Sequence, residues 1–101
     1  MLSFKSGKED RDEMTRVKIY TMAFCIHCDE LKRFLRDEKI EFEELDIWKR
    51  DNLADLRLAG VFSVLTPILR VNDNFMLFYD LFSGNKLRKE EIREFLRKCN
   101  V

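Results

Sequence analysis

The sequence predicts an α/β fold: a four-stranded mixed sheet flanked by three helices, in the order βαβαββα. Three observations carry that reading. VKIYTM (17–22) sets Val17, Ile19 and Thr21 against Lys18, Tyr20 and Met22 and is rich in β-branched residues, which is the period and chemistry of a strand. From Cys28 the period changes: Cys28, Leu31, Phe34 and Leu35 share one helical face, with Asp29, Glu30, Lys32, Arg33 and Arg36 on the other. Further on, TPILRV (66–71) and FMLFY (75–79) read as adjacent strands joined by Asn72-Asp73-Asn74, turn chemistry at hairpin length.

The remaining elements follow in order. Residues 1–16 are polar apart from Leu2, Phe4 and Met14 and show no sustained period; they read as a flexible extension, leaving 17–101 as the domain. Ala23-Phe24 breaks the first strand before the cysteines. Asp29 and Glu30 fall near the start of the first helix, where its dipole favours acids. IEFEELDIW (40–48) reads as the second strand. KRDNLADLRLAG follows as a short helix, capped by Asp51 or Asn52, with Leu53 and Leu56 inward and Gly60 at its end. KLRKEEIREFLRKC closes the chain as a helix with Ile92, Phe95, Leu96 and Cys99 on one face. A helical crossover makes the first two strands parallel, and the last two form a hairpin.

Composition excludes several functions. Lys+Arg 19 balance Asp+Glu 19 with both signs interspersed, unlike the basic excess that phosphate binding demands. No nucleic-acid partner is expected. No apolar run approaches the ~20 residues of a membrane helix, and the polar start lacks the apolar core of a signal peptide. The expectation is a cytoplasmic monomer with no membrane partner. In a reducing compartment, paired cysteines are catalytic or metal-binding more often than structural.

Two of the three cysteines and the single histidine lie in FCIHC, residues 24–28. Cys25 falls at the end of the first strand, beside the unsatisfied N–H groups of the helix start, which stabilise a thiolate. Cys28 lies one turn inward on the apolar face. The arrangement separates an exposed nucleophile from a buried resolving thiol, the division that thiol–disulfide exchange needs. His27 either adds positive potential beside the Cys25 sulfur, making the disulfide more oxidising, or points into solvent as an ordinary helix residue. Structural zinc wants four ligands, and only one pair stands here, with Cys99 far along the chain. A cluster shared between two chains remains open.

The single proline, in Thr66-Pro67, opens the third strand, a position that tolerates a missing N–H. Taken together, the order of elements, the strand–CxxC–helix, IEFEELDI and the strand-opening Thr-Pro resemble the glutaredoxin branch of the thioredoxin superfamily over roughly residues 17 to 99. The resemblance implies a thioredoxin-like fold, with Pro67 cis and packed beside Cys25. It also implies that the backbone around Thr66 pairs with an extended substrate, and that Cys25 forms a mixed disulfide which Cys28 resolves. Departures from the family pattern are specific. Ile26-His27 replaces the usual Pro-Tyr, and His before the second cysteine is similar to disulfide isomerases and periplasmic thiol oxidants. The basic residue before the first cysteine is absent from Thr21-Met22-Ala23-Phe24. Leu65-Thr66-Pro67 replaces Thr-Val-Pro, and FMLFYDLFSG lacks the Gly-Gly that lets glutathione approach the backbone. Asp80 corresponds to the family's following acidic residue.

The expected activity is therefore a dithiol–disulfide oxidoreductase, with Cys25, Cys28 and His27 catalytic and Phe24, Ile26, Thr66, Pro67 and Asp80 at the substrate. No cofactor is required and no metal site is assigned; glutathione is implied by the resemblance, though its contacts are depleted. The substrate is a disulfide-containing protein or a small-thiol disulfide. The alternative is an iron–sulfur carrier bridging two chains through Cys25. The aromatic stretch Phe75–Phe82 is expected in the core, as a central strand packed on both faces, rather than as a partner patch. Cys99 is expected to be a plain buried thiol.

Overall fold

The computed structural model describes residues 16–101. The extension expected over 1–16 thus lies outside the described residues except for Arg16. Four strands form the main sheet in the order β2-β1-β3-β4: β1 (Val17–Thr21), β2 (Glu43–Asp46), β3 (Ile68–Val71) and β4 (Asn74–Met76). β1 runs parallel to β2, while β3 is antiparallel to both β1 and β4. This is the mixed sheet that one helical crossover and one hairpin dictate. Asn72 makes the hairpin turn at φ 57, a left-handed backbone that asparagine tolerates.

Helices cover both faces. α1 (Ile26–Asp37) and α4 (Lys89–Lys98) pack on one face, and α2 (Arg50–Leu58) packs on the other. The alternation of β1 sorts the two cores. Val17 and Ile19 meet Leu31, Phe34, Leu35, Ile92 and Leu96, while Tyr20 joins Ile47, Leu56, Val61 and Ile68 under α2. With both faces covered, every second residue is driven inward on each side, and the sheet end that carries the cysteines is held by packing from two directions.

The boundaries differ from expectation for physical reasons. β2 is an edge strand paired only with β1, so the ladder shrinks from the expected 40–48 to Glu43–Asp46, with one further bond from Ile47 N–H to the Thr21 carbonyl at 2.8 Å. α2 starts at Arg50 with Lys49 as its N-cap, not Asp51 or Asn52. Asp46 turns the chain there by accepting from Trp48 N–H at 3.0 Å, and Asn52 donates back to the Asp46 carbonyl at 2.9 Å. Gly60, at φ 86, ends the helix as expected.

The larger correction falls in FMLFYDLFSG. The expected strand 75–79 is instead the edge strand β4 followed by a one-turn helix, α3 (Phe78–Leu81), and β4 is not central. The Asp80 carboxylate accepts from Leu77 N–H at 2.9 Å and so caps that turn, while Leu81 and Phe82 are buried against α1 and α4. Capping and burial together outweigh the β preference of the aromatics. A small hairpin then follows, β5 (Phe82–Ser83) with β6 (Lys86–Leu87), turning at Gly84 with φ 63. Cys99 caps the C-terminus of α4 and is only half-buried, although it does pack against the core.

Candidate active site

Parallel pairing of β1 with β2 and antiparallel pairing with β3 bring three connections to one end of the sheet. Thr21 stands opposite Asp46, and Tyr20 opposite Ile68, so the β1–α1 turn, the start of α2 and the Thr66-Pro67 turn all converge there. Cys25 is the N-cap of α1. Its sulfur accepts from Cys28 N–H at 3.1 Å, in the place an aspartate or serine oxygen usually takes. Cys28 is 1% exposed on the apolar face among the core residues, whereas Cys25 is partly open to solvent. The two are joined as a disulfide with Cα atoms 5.2 Å apart. One sulfur is thus reachable from outside and the other is behind it.

Thr66 supplies the opposite wall. Its Oγ1 lies 3.4 Å from the Cys25 sulfur and its carbonyl oxygen 3.9 Å away. The Thr66-Pro67 peptide is cis, and both residues are buried. Once the pair is reduced, the Thr66 hydroxyl and Cys28 N–H are both placed to donate to a Cys25 thiolate, in addition to the helix dipole behind it.

The residues expected at the site are unevenly gathered. Cys25, Cys28, Thr66 and Pro67 come together. Phe24 and Ile26 flank Cys25; Phe24 projects fully into solvent from a left-handed backbone at φ 58, and Ile26 is largely exposed. His27 does not point freely into solvent as an ordinary helix residue. Its ring stands edge-on to Phe82 at 4.7 Å and to Phe78 at 5.2 Å between centroids, partly buried in an aromatic notch. Asp80 is engaged in capping α3 rather than reaching toward Cys25. Sequence reasoning missed Phe78 and Phe82. Their spacing of four marks a shared helical face, but it is informative only if 78–81 is read as helix.

The sequence profile of the family described as Glutaredoxin matches residues 17–76, more than half of the 101-residue chain. The chain belongs to the glutaredoxin family. A solved structure, oxidized glutaredoxin 2 from Chlamydomonas reinhardtii, superposes with a TM-score of 0.56 at 17% identity, covering 95% of this chain and 94% of that one. At that identity the likeness speaks for the fold, and it places this glutaredoxin in the thioredoxin-like class. No curated protein sequence matches significantly. Family membership and the bridged CxxC pair support thiol–disulfide oxidoreductase chemistry. Among the described residues no three His, Cys, Asp or Glu side chains converge to hold a metal. A cleft of about 650 Å³ lined by Arg16, Val17, Lys39 and Arg93 lies at the opposite end of β1 and contains none of the site residues.

Proposed function

We propose that this glutaredoxin passes electron pairs between its Cys25–Cys28 dithiol and the disulfide of a polypeptide. One observation carries the reading: a partly exposed sulfur caps a helix directly in front of a buried partner sulfur. In the reducing direction, Cys25 thiolate attacks one substrate sulfur. A mixed disulfide forms, and the other substrate sulfur leaves as thiolate. Cys28 then loses its proton, attacks the Cys25 sulfur and releases the second substrate thiol. Two electrons have passed to the substrate, and the Cys25–Cys28 bond is closed.

Cys25 is the nucleophile because only its sulfur is both solvent-accessible and within reach of donors at the helix start. Thr66 and Pro67 line the approach, Phe24 and Ile26 frame it, and His27 tunes the potential. A small thiol such as glutathione is the proposed reductant of the bridge, acting as co-substrate rather than bound cofactor. We place the protein in the cytoplasm as a monomer, where a reactive dithiol is kept in turnover.

The test is reduction of a model protein disulfide, with the potential of the pair fixed by equilibration in glutathione buffers. A value near ~−180 mV supports disulfide donation or isomerisation, and one near ~−270 mV supports reduction. Turnover that persists in Cys25→Ser sinks the assignment of the nucleophile.

A further inference from the structure

Large apolar side chains normally leave water on folding, so where they fail to do so matters. Among the described residues, most of the exposed ones gather at the end of the sheet that carries Cys25. Phe24 and Ile26 stand on either side of it. Trp48 follows the end of β2, Leu65 precedes the Thr66 wall, and Tyr79 lies just past β4. The rim is continuous with the redox pair. Tyr79 meets Phe78 edge-on at 5.2 Å, and Phe78 meets His27 at 5.2 Å.

Two further observations separate this rim from leftover surface. Phe24 holds φ 58, a left-handed backbone in which glycine is less strained than any residue with a Cβ, yet its ring contributes nothing to the core. Folding gives no reason for an aromatic there. In the segments that form the site's wall (22–28, 64–67 and 77–80), Asp80 is also the only Asp, Glu, Lys or Arg. A small anionic thiol meets no lysine or arginine along these three segments, the nearest in sequence to the rim being Lys49 and Arg50 after Trp48, and it has no apolar area with which to cover the rim.

Building on the reading of Cys25 as attacking sulfur, we infer that the rim docks an extended polypeptide whose cysteine is flanked by aliphatic or aromatic residues and not by acids. Cys25 is recessed between two projecting side chains, so an extended strand reaches its sulfur where a flat folded surface would be held off by Phe24 and Ile26. Apolar neighbours of the substrate cysteine then cover Phe24 and Ile26 on one side and Leu65 and Tyr79 on the other.

The experiment uses the full chain carrying Cys28→Ser, reduced, with two short peptides of equal length. One centres on Leu-Cys-Phe and the other on Glu-Cys-Glu, each with its cysteine activated as the mixed disulfide of thionitrobenzoate. Cys25 thiolate attacks the peptide sulfur, the Cys25–peptide disulfide forms, and thionitrobenzoate leaves with the electron pair and is read by its absorbance. The apolar peptide is expected to react at least about tenfold faster, the order of effect that burying two large side chains gives. Adding Phe24→Ser and Tyr79→Ser is expected to bring the ratio below about threefold. Should Tyr79→Ser unsettle the α3 turn, Phe24→Gly, which suits φ 58, is expected to lower the ratio by itself. Equal rates for the two peptides, or a ratio that survives the rim variants, overturn the inference while leaving Cys25 as nucleophile. No release from either peptide or from the free aryl disulfide overturns the nucleophile reading, and this inference with it. Sedimentation with neutral phospholipid vesicles, together with equal peptide rates, would assign the rim to a membrane and overturn it as well.

Discussion

The hydroxyl of Thr66 stands 3.4 Å from the sulfur of Cys25, across a gap that joins the start of α1 to the turn before β3. In the reduced protein that sulfur has two donors at hand, this hydroxyl and Cys28 N–H, which is already at 3.1 Å. Both strengthen as negative charge develops, because hydrogen bonds to an ion exceed those to a neutral atom. Two segments remote in sequence thus converge on the Cys25 sulfur.

Thr66→Val keeps the shape of the wall and removes one donor. A single hydrogen bond to a charged acceptor is worth roughly 1.5 kcal/mol, or about one pKa unit. The Cys25 pKa is therefore expected to rise by about one unit in a Cys28→Ser background, read from thiolate absorbance against pH. An unchanged titration would reduce Thr66 to a packing residue.

His27 sits between Cys25 and Cys28 in sequence, with its ring wedged against Phe78 and Phe82, so an electrostatic and a packing role can be separated by substitution. His27→Phe keeps an aromatic ring in the notch and removes the imidazole nitrogens. Stability is expected to stay within about 1 kcal/mol of the parent, while the potential of the pair falls by tens of mV, where ~30 mV corresponds to 1.4 kcal/mol. His27→Ala is expected to lose about 1 kcal/mol of stability in addition. A potential that does not move in His27→Phe would leave the ring with a packing role only.

Much of this architecture was legible in the sequence, and the exceptions share a cause. β1 and α1 are read correctly because each repeats its period for several residues and buries one face against a large neighbour, as Val17, Ile19, Leu31 and Leu35 do. The cysteine pair was legible because its spacing at a strand–helix junction places both sulfurs within bridging distance. The stretch 77–87 was not. One helical turn is too short to show a period, and its aromatics favour strands by composition, so only Asp80 reaching back to Leu77 N–H reveals the turn. The notch around His27 depends on that turn and was lost with it. The left-handed Phe24 carries no sequence signal at all, since nothing in its residue type favours that conformation.

An acid limb of stability is expected from Glu44. The Lys32 ammonium, 2.9 Å away, holds the Glu44 carboxyl below its ordinary value, burial opposes this, and the Thr21 hydroxyl adds a second donor at 2.9 Å. A depressed folded pKa means that the unfolded chain takes up the proton first as pH falls. The stabilisation is fully present above the ordinary glutamate value of about 4.3 and is lost as pH drops through the lower folded value. Because Glu44 is largely open to solvent, the effect is at most about 1 kcal/mol. Glu44→Gln is expected to flatten urea-midpoint stability across that window by lowering the neutral region by up to about 1 kcal/mol, while stability below the window stays close to the parent's. An acid limb of the same steepness in Glu44→Gln would assign it to other carboxylates.

Arg16 ties the two ends of the described chain together. Its guanidinium donates to the carbonyls of Cys99 at 3.1 Å and Asn100 at 2.7 Å, oxygens that the end of α4 leaves without helical partners. A cation at the negative end of a helix also meets its dipole favourably. The residue that immediately precedes β1 therefore acts on the last helix, and through Ile92 and Leu96 on the core that also seats Leu31 and Leu35 of α1. Arg16→Ala is expected to lower stability by about 1 kcal/mol, shifting the urea midpoint without changing its slope. Leu35→Ala, which empties a fully buried position under the active-site helix, is expected to cost about 2–5 kcal/mol. If Arg16→Ala matched or exceeded Leu35→Ala, the bonds to Cys99 and Asn100 would have to be holding α4 in place rather than merely capping it. Hydrogen exchange at the α4 amides would then rise selectively, while a simple cap loses protection only in the last turn.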